Sequence, residues 1–505
     1  MVKHLAKHKG EFFILLILVA CYFALRLPNL TLQPIFADEA IYIRWAQVMR
    51  AEPTLRFVSV SDGKTPLFMW AMIPFLKVFQ DPLFAGRFLS VLAGMFTLLG
   101  VYALAKRAFN AKAAFWAGVL YVITPYTVFF DRMALVDSML AAFTVWIIYF
   151  AIWLVRAIRL DVAMILGYFL GGAVLTKTPG MINLLLLPIS LITYNTYKRT
   201  KDNKYYLLRI LFLFLVSIII ALVMYNSLRL GPEFQQLSAR NGDYLFSPLE
   251  LVGRPLDPFI PHFRDMADWW PKLFTWPILF CLAVGIFYLV YYLNRAGIVI
   301  LLWALLPLLF EMAFLRTFTA RYLLSSISPL LIIGGYGIIQ ILPRFASLKT
   351  ISFILMLLVI LPLSLYFNYL LLTDPSKAPL PKEERIGYLE EWTAGYGFAD
   401  IAQFLIEKSK TNSVVVGTEG FFGTLPDGLR IYLDKEKVTI VTSSATISAQ
   451  IRNAANDHLT YFVGNSRRLK GRISNVLLIK EYSKAQPRDG SAADSIMFYQ
   501  VLPSK

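Results

Sequence analysis

An acidic pair, Asp38-Glu39, follows the first long apolar segment and begins an amphipathic stretch. Further ionisable residues stand at the ends of later apolar segments, and they are Lys64, Arg132, Asp137, Lys177 and Arg321, the last followed by Tyr322. A fixed carboxylate can take the proton of a hydroxyl, while cations can stabilise the negative charge of a departing phosphate. Arginine can give phosphate two parallel hydrogen bonds, and lysine acts as a point charge. The set therefore predicts acid–base chemistry at a phosphate-bearing ligand.

The composition places this chemistry in a membrane protein. The 505 residues are 57% hydrophobic and only 16% charged, with a mean hydropathy of +0.60. The apolar segment 66–79 is broken by Pro74 and Lys77 and predicts an interfacial helix rather than a span. Since a helix needs about 20 apolar residues to cross the hydrocarbon, we expect about eleven spans. They lie near 12–28, 84–105, 113–130, 136–155, 162–176, 180–196, 206–228, 275–293, 297–315, 322–342 and 350–372.

Basic residues fall in every second connection between these spans. They are Lys3, Lys7, Lys9, Lys106, Arg107, Lys112, Arg156, Arg159, Lys198, Arg199, Lys201, Lys204, Arg295, Arg344 and Lys349. The positive-inside rule places them and the N-terminus in the cytoplasm. The acidic pair, the loops 29–83 and 229–274 and the C-terminal region then lie on the other side. Most of the net charge of +17 belongs to the membrane part, since residues 374–505 carry 17 Lys/Arg against 15 Asp/Glu. This distribution suits anionic lipid and argues against nucleic-acid binding.

The chain divides into a predicted transmembrane bundle, 1–373, and a soluble α/β domain, 374–505. In the second part, helical spacing at 399–408 and 445–456 alternates with short strands at 413–417, 438–441, 459–463, 476–479 and 496–501. The turn after the first of these strands lacks the third glycine of a nucleotide-binding fingerprint, so we expect a structural turn. Cys21 and Cys281 both lie in apolar segments, which argues against disulfides and cysteine metal sites.

Transfer of a sugar from a polyprenyl phosphate would use all of these features. The acceptor hydroxyl needs a base, the departing phosphate needs cations, and apolar helices would hold the lipid tail. Because adjacent residues of a helix do not share a face, only one carboxylate of the acidic pair can point at the reacting groups.

Five motifs in order resemble the protein O-mannosyltransferase and lipid A aminoarabinose transferase group, membrane glycosyltransferases of the GT-C fold. They are Asp38-Glu39, Gly63-Lys64-Thr65-Pro66-Leu67 with Trp70, Arg132 with Asp137, Leu175-Thr176-Lys177-Thr178-Pro179-Gly180, and Arg321-Tyr322. The resemblance covers roughly residues 10–345 by hydropathy and motif order. It implies that Asp38 is the catalytic base and that Lys64, Lys177 and Arg321 contact the lipid phosphate. We further expect Glu39 to belong to the catalytic pair, Tyr322 to bind the donor phosphate beside Arg321, and Arg132 and Asp137 to support the site. Many relatives have two prolines after the lysine, where this chain has Thr65-Pro66.

Structural alternatives exist for four of these motifs. Asp38 could cap its helix, and Glu39 could be a structural or acceptor-side partner. Arg132 and Asp137 could form an ordinary ion pair between two helix ends. Lys177 could extend its amine to the membrane surface, and Arg321 with Tyr322 could be an interfacial anchor.

These observations favour a GT-C bundle with an external α/β domain, acting as an inverting hexosyl- or pentosyltransferase. The expected partners are a polyprenyl-phosphate-linked sugar, an acceptor protein, lipid or glycan, and membrane lipid, in a plasma membrane. No cofactor is required in this interpretation, although a divalent cation at Asp38 and Asp137 stays open, as other GT-C enzymes use one. A lipid-linked sugar transporter, or a receptor without catalysis, is the alternative. A transporter would need charges along the depth of the bundle, where the sequence offers only Glu311 near one end. The intact acidic pair argues mildly against the receptor.

Overall fold

The computed structural model describes residues 2–194, 203–254, 256–342, 349–434, 436–470 and 474–503. Predicted cytoplasmic residues Lys198, Arg199, Lys201 and Arg344 lie outside these ranges. Helices dominate up to Thr373, and they are α1 Val2–Ala24, α2 Ala37–Ala51, α3 Leu67–Met72, α4 Phe75–Val78, α5 Pro82–Ala108, α6 Ala111–Ile123, α7 Pro125–Asp131, α8 Val136–Ala157, α9 Leu160–Thr176, α10 Ile182–Leu186, α11 Asn203–Asn226, α12 Gln236–Tyr244, α13 Pro248–Val252, α14 Phe259–Leu273, α15 Trp276–Tyr291, α16 Arg295–Phe314, α17 Leu324–Ile341 and α18 Lys349–Thr373.

The helices make this a multi-pass membrane protein. In the described ranges, six are long and apolar enough to cross a membrane, or up to eight if each of two bent pairs forms one span. The bent pairs are α6 with α7, at 59°, and α14 with α15, at 112°. Three further predicted spans, near 12–28, 162–176 and 180–196, correspond to the shorter apolar helices Gly10–Ala24, Leu160–Thr176 and Thr178–Thr193. The expected count of eleven therefore remains a prediction.

Local sequence explains how the helices begin and approach each other. Asp81 accepts hydrogen bonds from the N–H groups of the first turn of α5, and Pro82 occupies the first helical position. Gly335 of α17 lies against α6, where a Cβ would come within 2.5 Å of the Ala117 nitrogen. Small residues permit such close packing, which membrane helices need because apolar lipid gives them no hydrophobic driving force to associate.

The region 229–274, expected as a loop, is largely helical. It contains α12, α13 and the amphipathic helix α14. Pro248 and Pro258 stand at helix starts, where a missing N–H costs nothing, whereas Pro271 lies inside α14 near its end. His262 of α14 is buried, and its Nδ1 lies 2.8 Å from the Met312 carbonyl oxygen. The segment 66–79 forms the two short helices α3 and α4, which are separated at Pro74.

The C-terminal region contains the predicted alternation of helices and strands. Its elements, after the two-residue strand β1 Ile35–Phe36 of the first loop, are α19 Lys382–Arg385, β2 Ala394–Gly395, α20 Phe398–Ser409, β3 Val414–Glu419, α21 Thr424–Arg430, β4 Val438–Ser443, α22 Ala449–Asp457, β5 Leu459–Asn465, β6 Val476–Ser483 and β7 Ser495–Val501. The five-stranded sheet has the order β4-β3-β5-β7-β6. Its β3 pairs in parallel with β4 and β5, whereas β7 pairs antiparallel with β5 and β6.

The C-terminal region covers helix α2, which carries the acidic pair. Strand β1 pairs antiparallel with β2, immediately before α2 begins. Arg44 and Arg50 of α2 both bind the Asp434 carboxylate, at 2.5 and 3.0 Å, and Gln47 donates to the Ile431 carbonyl oxygen. These polar residues of α2 therefore contact protein in the C-terminal region.

Candidate active site

A cavity of about 330 Å³ opens where the predicted motifs converge. Its wall is formed by the turn 63–65, the start of α8, the segment 176–182, helix α12 and the end of α16. Lys64 and Lys177 line it together with Tyr322. The apolar part of the wall consists of Met69, Val136, Met181, Ile182, Leu185, Phe310 and Leu315. Cations and an apolar surface therefore meet in one cavity, as a phosphate attached to a hydrocarbon chain requires.

Asp38 lies beside this cavity in an ion pair. Its Oδ2 is 2.6 Å from an Arg321 guanidinium nitrogen, and the two side chains are 24% and 12% exposed. Tyr42, one helical turn further along the same face of α2, lines the cavity. Burial raises the pKa of Asp38, but the charges of Arg321, Lys64 and Lys177 outweigh it and hold the pKa below its ordinary value. Asp38 is therefore ionised at neutral pH and able to accept a proton.

Glu39 does not point towards the cavity. Its side chain is fully buried, and both carboxylate oxygens accept hydrogen bonds from Arg87 at 2.8 Å. The backbone N–H groups of Phe36 and Ala134 donate to the same carboxylate at 2.9 and 2.7 Å. These bonds fix the start of α2 against α5 and the segment before α8, so Glu39 positions its neighbour Asp38.

The second carboxylate of the site, Asp137, pairs with Lys177. The Lys177 amine is 2.7 Å from Asp137 Oδ1 and 3.9 Å from the centre of the Tyr322 ring. The side chain of Asp137 is only 5% exposed, so its position at the start of α8 depends on this cation. Lys177 thus has an intramolecular partner and is not simply extended to the membrane surface.

Arg132 does not pair with Asp137, so the ion pair considered for them is not formed. It is buried and donates hydrogen bonds to the carbonyl oxygens of Arg26, Pro28 and Asn29. The arginine therefore holds the chain that leaves α1. A neighbouring pair missed in the sequence, Arg26 with Asp131, is fully buried at 3.2 Å.

Lys64 is presented by a turn that requires glycine. Gly63 has a φ of +67°, and a Cβ there would lie 2.4 Å from the Cβ of Arg240 in α12. The Lys64 amine donates to the Tyr244 hydroxyl at 3.2 Å. The close contact of α12 with this turn thus brings two residues of the 229–274 region, Arg240 and Tyr244, into the cavity wall.

The C-terminal region supplies Glu384 next to Arg321. Glu384 is buried and accepts a hydrogen bond of 2.9 Å from the Ala320 N–H. Burial raises the pKa of Glu384 to about 7, although the Ala320 N–H and the Arg321 charge oppose this shift. No local pattern identified Glu384, because its role depends on contact with a helix end far away in the sequence.

The free energy of unfolding should decrease as pH rises, because Glu384 must lose a proton that the fold stabilises. The folded protein holds a proton that the unfolded chain releases near the ordinary value of 4.5, so stability is lost as pH rises from there to about 7. Glu384→Gln keeps the acceptor oxygen and cannot ionise. As pH rises from about 5 to about 8, we expect the melting temperature of Glu384→Gln to increase relative to that of wild type. Glu383→Gln, at the exposed neighbouring position, is the control, and identical pH profiles of all three proteins would contradict the assignment.

The site does not fit a divalent cation between Asp38 and Asp137. Each carboxylate already binds a cationic side chain, Arg321 or Lys177, so an added metal ion would face two positive charges. Within the described ranges, no three His, Cys, Asp or Glu side chains are grouped as metal ligands.

Comparison with known proteins identifies the class of fold. A family model described as dolichyl-phosphate-mannose-protein mannosyltransferase matches residues 63–221. No curated protein matches the chain in sequence. Among solved structures, ArnT from Cupriavidus metallidurans in the apo state has a TM-score of 0.57 and 16% identity, covering 98% of each chain. The same protein bound to undecaprenyl phosphate has a TM-score of 0.57 and 16% identity, covering 96% of this chain and 97% of its own.

A second solved protein shares the fold. Archaeal oligosaccharyltransferase AglB from Archaeoglobus fulgidus, in complex with an inhibitory peptide and a dolichol-phosphate, has a TM-score of 0.54 and 12% identity. The match covers 91% of this chain and 70% of AglB. The chain is thus a GT-C-fold membrane protein, and the resemblance to the mannosyltransferase and ArnT group is confirmed.

Proposed function

We propose that this protein transfers a sugar from a polyprenyl-phosphate donor to a hydroxyl of an acceptor protein, lipid or glycan. The observation that carries the proposal is a single cavity in which Lys64 and Lys177 meet apolar walls, beside the ionised Asp38. ArnT bound to undecaprenyl phosphate, and AglB bound to a dolichol-phosphate, support a donor of this chemistry.

The reaction is one displacement at the anomeric carbon of the sugar. The acceptor oxygen forms its bond to that carbon as the bond to the phosphate oxygen breaks, and the electron pair leaves on the phosphate. The hydroxyl proton passes to Asp38, and a single displacement inverts the configuration. Lys64, Lys177 and Arg321 stabilise the phosphate charge. An arriving phosphate competes with Asp38 for Arg321, which frees the carboxylate for the hydroxyl.

We propose that the reaction takes place on the non-cytoplasmic face of a plasma membrane. The site lies at the start of α8, whereas Lys106 and Arg107 end α5 and Arg156 ends α8. These basic residues stand at the end of each helix remote from the site, which supports a cytoplasmic N-terminus and an external C-terminal region.

Cysteine labelling tests this orientation. In a background with Cys21→Ser and Cys281→Ala, we expect an impermeant thiol reagent to label Ser491→Cys in intact cells, because this exposed residue lies in the C-terminal region. Lys112→Cys, at an exposed position in the first turn of α6, should react only after the cells are opened. The reverse pattern would contradict the orientation.

The experiment that tests the function uses purified protein in nanodiscs and a panel of radiolabelled polyprenyl-phosphate sugars. Release of polyprenyl phosphate from one donor, together with labelled acceptor, is the expected result. Binding of a donor with no release, under conditions where the labelled lipid moves between leaflets, would contradict the proposal and indicate a transporter.

Lys64 is expected to contribute directly to donor affinity. Loss of one charge-assisted hydrogen bond should weaken binding of polyprenyl phosphate about tenfold to a hundredfold in Lys64→Met. This substitution leaves no buried carboxylate unpaired, since the contact of Lys64 is with the Tyr244 hydroxyl. Lys64→Arg should bind within a few-fold of wild type, and Lys77→Met, at an exposed site in α4, is the matched control. Equal affinity of Lys64→Met and Lys77→Met, measured with a fluorescent polyprenyl phosphate, would remove Lys64 from the site.

A further inference from the structure

A second pocket, in the C-terminal region, has no place in the chemistry described above. Its volume is about 270 Å³, and its wall contains Trp392, Glu419, Phe421, Phe422, Asn465 and Arg468. Phe421 and Phe422 are 67% and 50% exposed, on a turn between Gly420 and Gly423. Both glycines have positive φ values, +88° and +100°, which side chains rarely adopt. The turn therefore holds two large aromatic rings at the surface of a pocket that also contains charged side chains.

The pocket stands where α/β sheets bind ligands. From β3 the chain passes through α21 to β4 on one side, and from β4 through α22 to β5 on the other side of β3. In such sheets, ligands bind outside the carboxyl ends of the strands at the point where the order reverses. Glu419 ends β3 and Asn465 ends β5, so both lie at that point.

The polar groups of the pocket form a fixed, nearly neutral set. Glu419 is 2% exposed, and it accepts hydrogen bonds from the backbone and side-chain nitrogens of Asn465 at 3.0 and 2.8 Å. Its other oxygen is 2.8 Å from the Arg468 Nε, and the Arg468 guanidinium lies 4.7 Å from the centre of the Trp392 ring. Because the carboxylate and the guanidinium neutralise each other, the pocket does not favour a phosphate or another anion.

Planar polar groups beside aromatic rings fit a sugar. A pyranose has an apolar C–H face, which packs on an aromatic ring, and a rim of hydroxyls that both donate and accept. Carboxylate, amide and guanidinium groups supply matching acceptors and donors. The volume lies slightly below the range of about 300–1,000 Å³ typical of drug-sized ligands, which suits a single sugar unit.

The pocket is connected to the helix that carries the proposed base. The Phe422 ring packs against Trp45 of α2, with the ring centres 6.0 Å apart. Trp45 lies about two helical turns, roughly 10 Å, after Asp38 and on the same face of α2. We propose that this pocket binds a sugar unit of the acceptor, so that the acceptor is a glycan or a glycan-bearing molecule whose reacting hydroxyl extends to Asp38. This inference rests on the proposed transferase function.

The test is saturation-transfer NMR on the full chain in nanodiscs. The probes are methyl glycosides of glucose, galactose, mannose and N-acetylglucosamine, their disaccharides, and an unglycosylated Ser/Thr peptide. We expect at least one saccharide to bind wild type, and Phe421→Ala or Trp392→Ala to weaken it about tenfold. Phe421→Tyr should retain binding. Leu477→Ala, an exposed apolar residue on β6, is the matched control, and Asp38→Asn should bind the saccharide as wild type does.

The outcomes separate this inference from the proposed function. The saccharide site would be overturned if no saccharide binds, if Phe421→Ala and Trp392→Ala both bind as tightly as wild type, or if only the peptide binds. If sugar transfer is nevertheless observed, the transferase function stands without it. If a saccharide binds here and no donor is consumed, the acceptor assignment fails together with the transferase function.

Discussion

Asp38→Asn is expected to lower the rate of sugar transfer by about a hundredfold to ten-thousandfold, the range typical of a lost general base. Asparagine keeps the size of the side chain but cannot take the hydroxyl proton. Donor affinity should change little, because the phosphate contacts belong to Lys64, Lys177 and Arg321, and loss of the carboxylate releases Arg321 towards the phosphate. Single-turnover transfer of radiolabel and equilibrium binding of polyprenyl phosphate measure the two effects separately.

The matched control is Asp243→Asn. Asp243 is a carboxylate of α12 that is 62% exposed, and it pairs with Arg240 near the same cavity. It should transfer sugar at the wild-type rate. Wild-type transfer by Asp38→Asn would remove Asp38 from catalysis, and an equal loss in both variants would indicate a general effect of charge at the cavity.

Of the substitutions proposed here, Arg87→Met should cause the largest decrease in the free energy of unfolding. Arg87 is buried and neutralises Glu39, and it also donates to the carbonyl oxygens of Leu30, Gln33 and Pro34. Removing one partner of a buried pair costs about 3–5 kcal/mol, because the remaining charge has no compensation. The melting temperature in detergent should fall markedly, and transfer by the surviving folded protein should fall too, because the start of α2 loses its support.

Arg159→Met tests whether any lost ion pair has this effect. Arg159 also pairs with a carboxylate, that of Asp161, but both side chains are more than half exposed. Since exposed pairs contribute little, the melting temperature should stay close to that of wild type. Similar shifts in both variants would refute the special importance of the buried pair.

The sequence predicted the helices and strands well because their apolar patterns are local. The strand predicted at 413–417 corresponds to β3, and the helix predicted at 399–408 corresponds to α20. The 229–274 region was harder, since its prolines suggested a loop, whereas Pro248 and Pro258 stand at helix starts and Pro271 lies inside α14. Contact between the C-terminal region and α2 could not be predicted, because no residue pattern reports which distant surfaces meet.

The candidate site was predicted in part for the same reason. Lys64 and Lys177 stand next to turns that are recognisable in the sequence. The order of the predicted spans therefore placed both residues at the same end of the bundle. The division of roles between Asp38 and Glu39 did not follow, because two adjacent carboxylates look alike until Arg87 is seen bound to one of them. The contribution of Glu384 required knowledge of a contact with the Ala320 N–H.

The pairing of β1 with β2 joins two segments that are synthesised at different times, so the site is completed in stages. Asp38 is synthesised well before its ion-pair partner Arg321 and before the strand that pairs beside it, Ala394–Gly395. At about 5–20 residues per second, roughly 360 residues of synthesis separate the two strands, a delay of tens of seconds. Within that interval the base gains its arginine only when Arg321 is made, and it gains its neighbouring strand only at the end. The site is thus incomplete while the helices before Arg321 are inserted, and residues translated after them complete it.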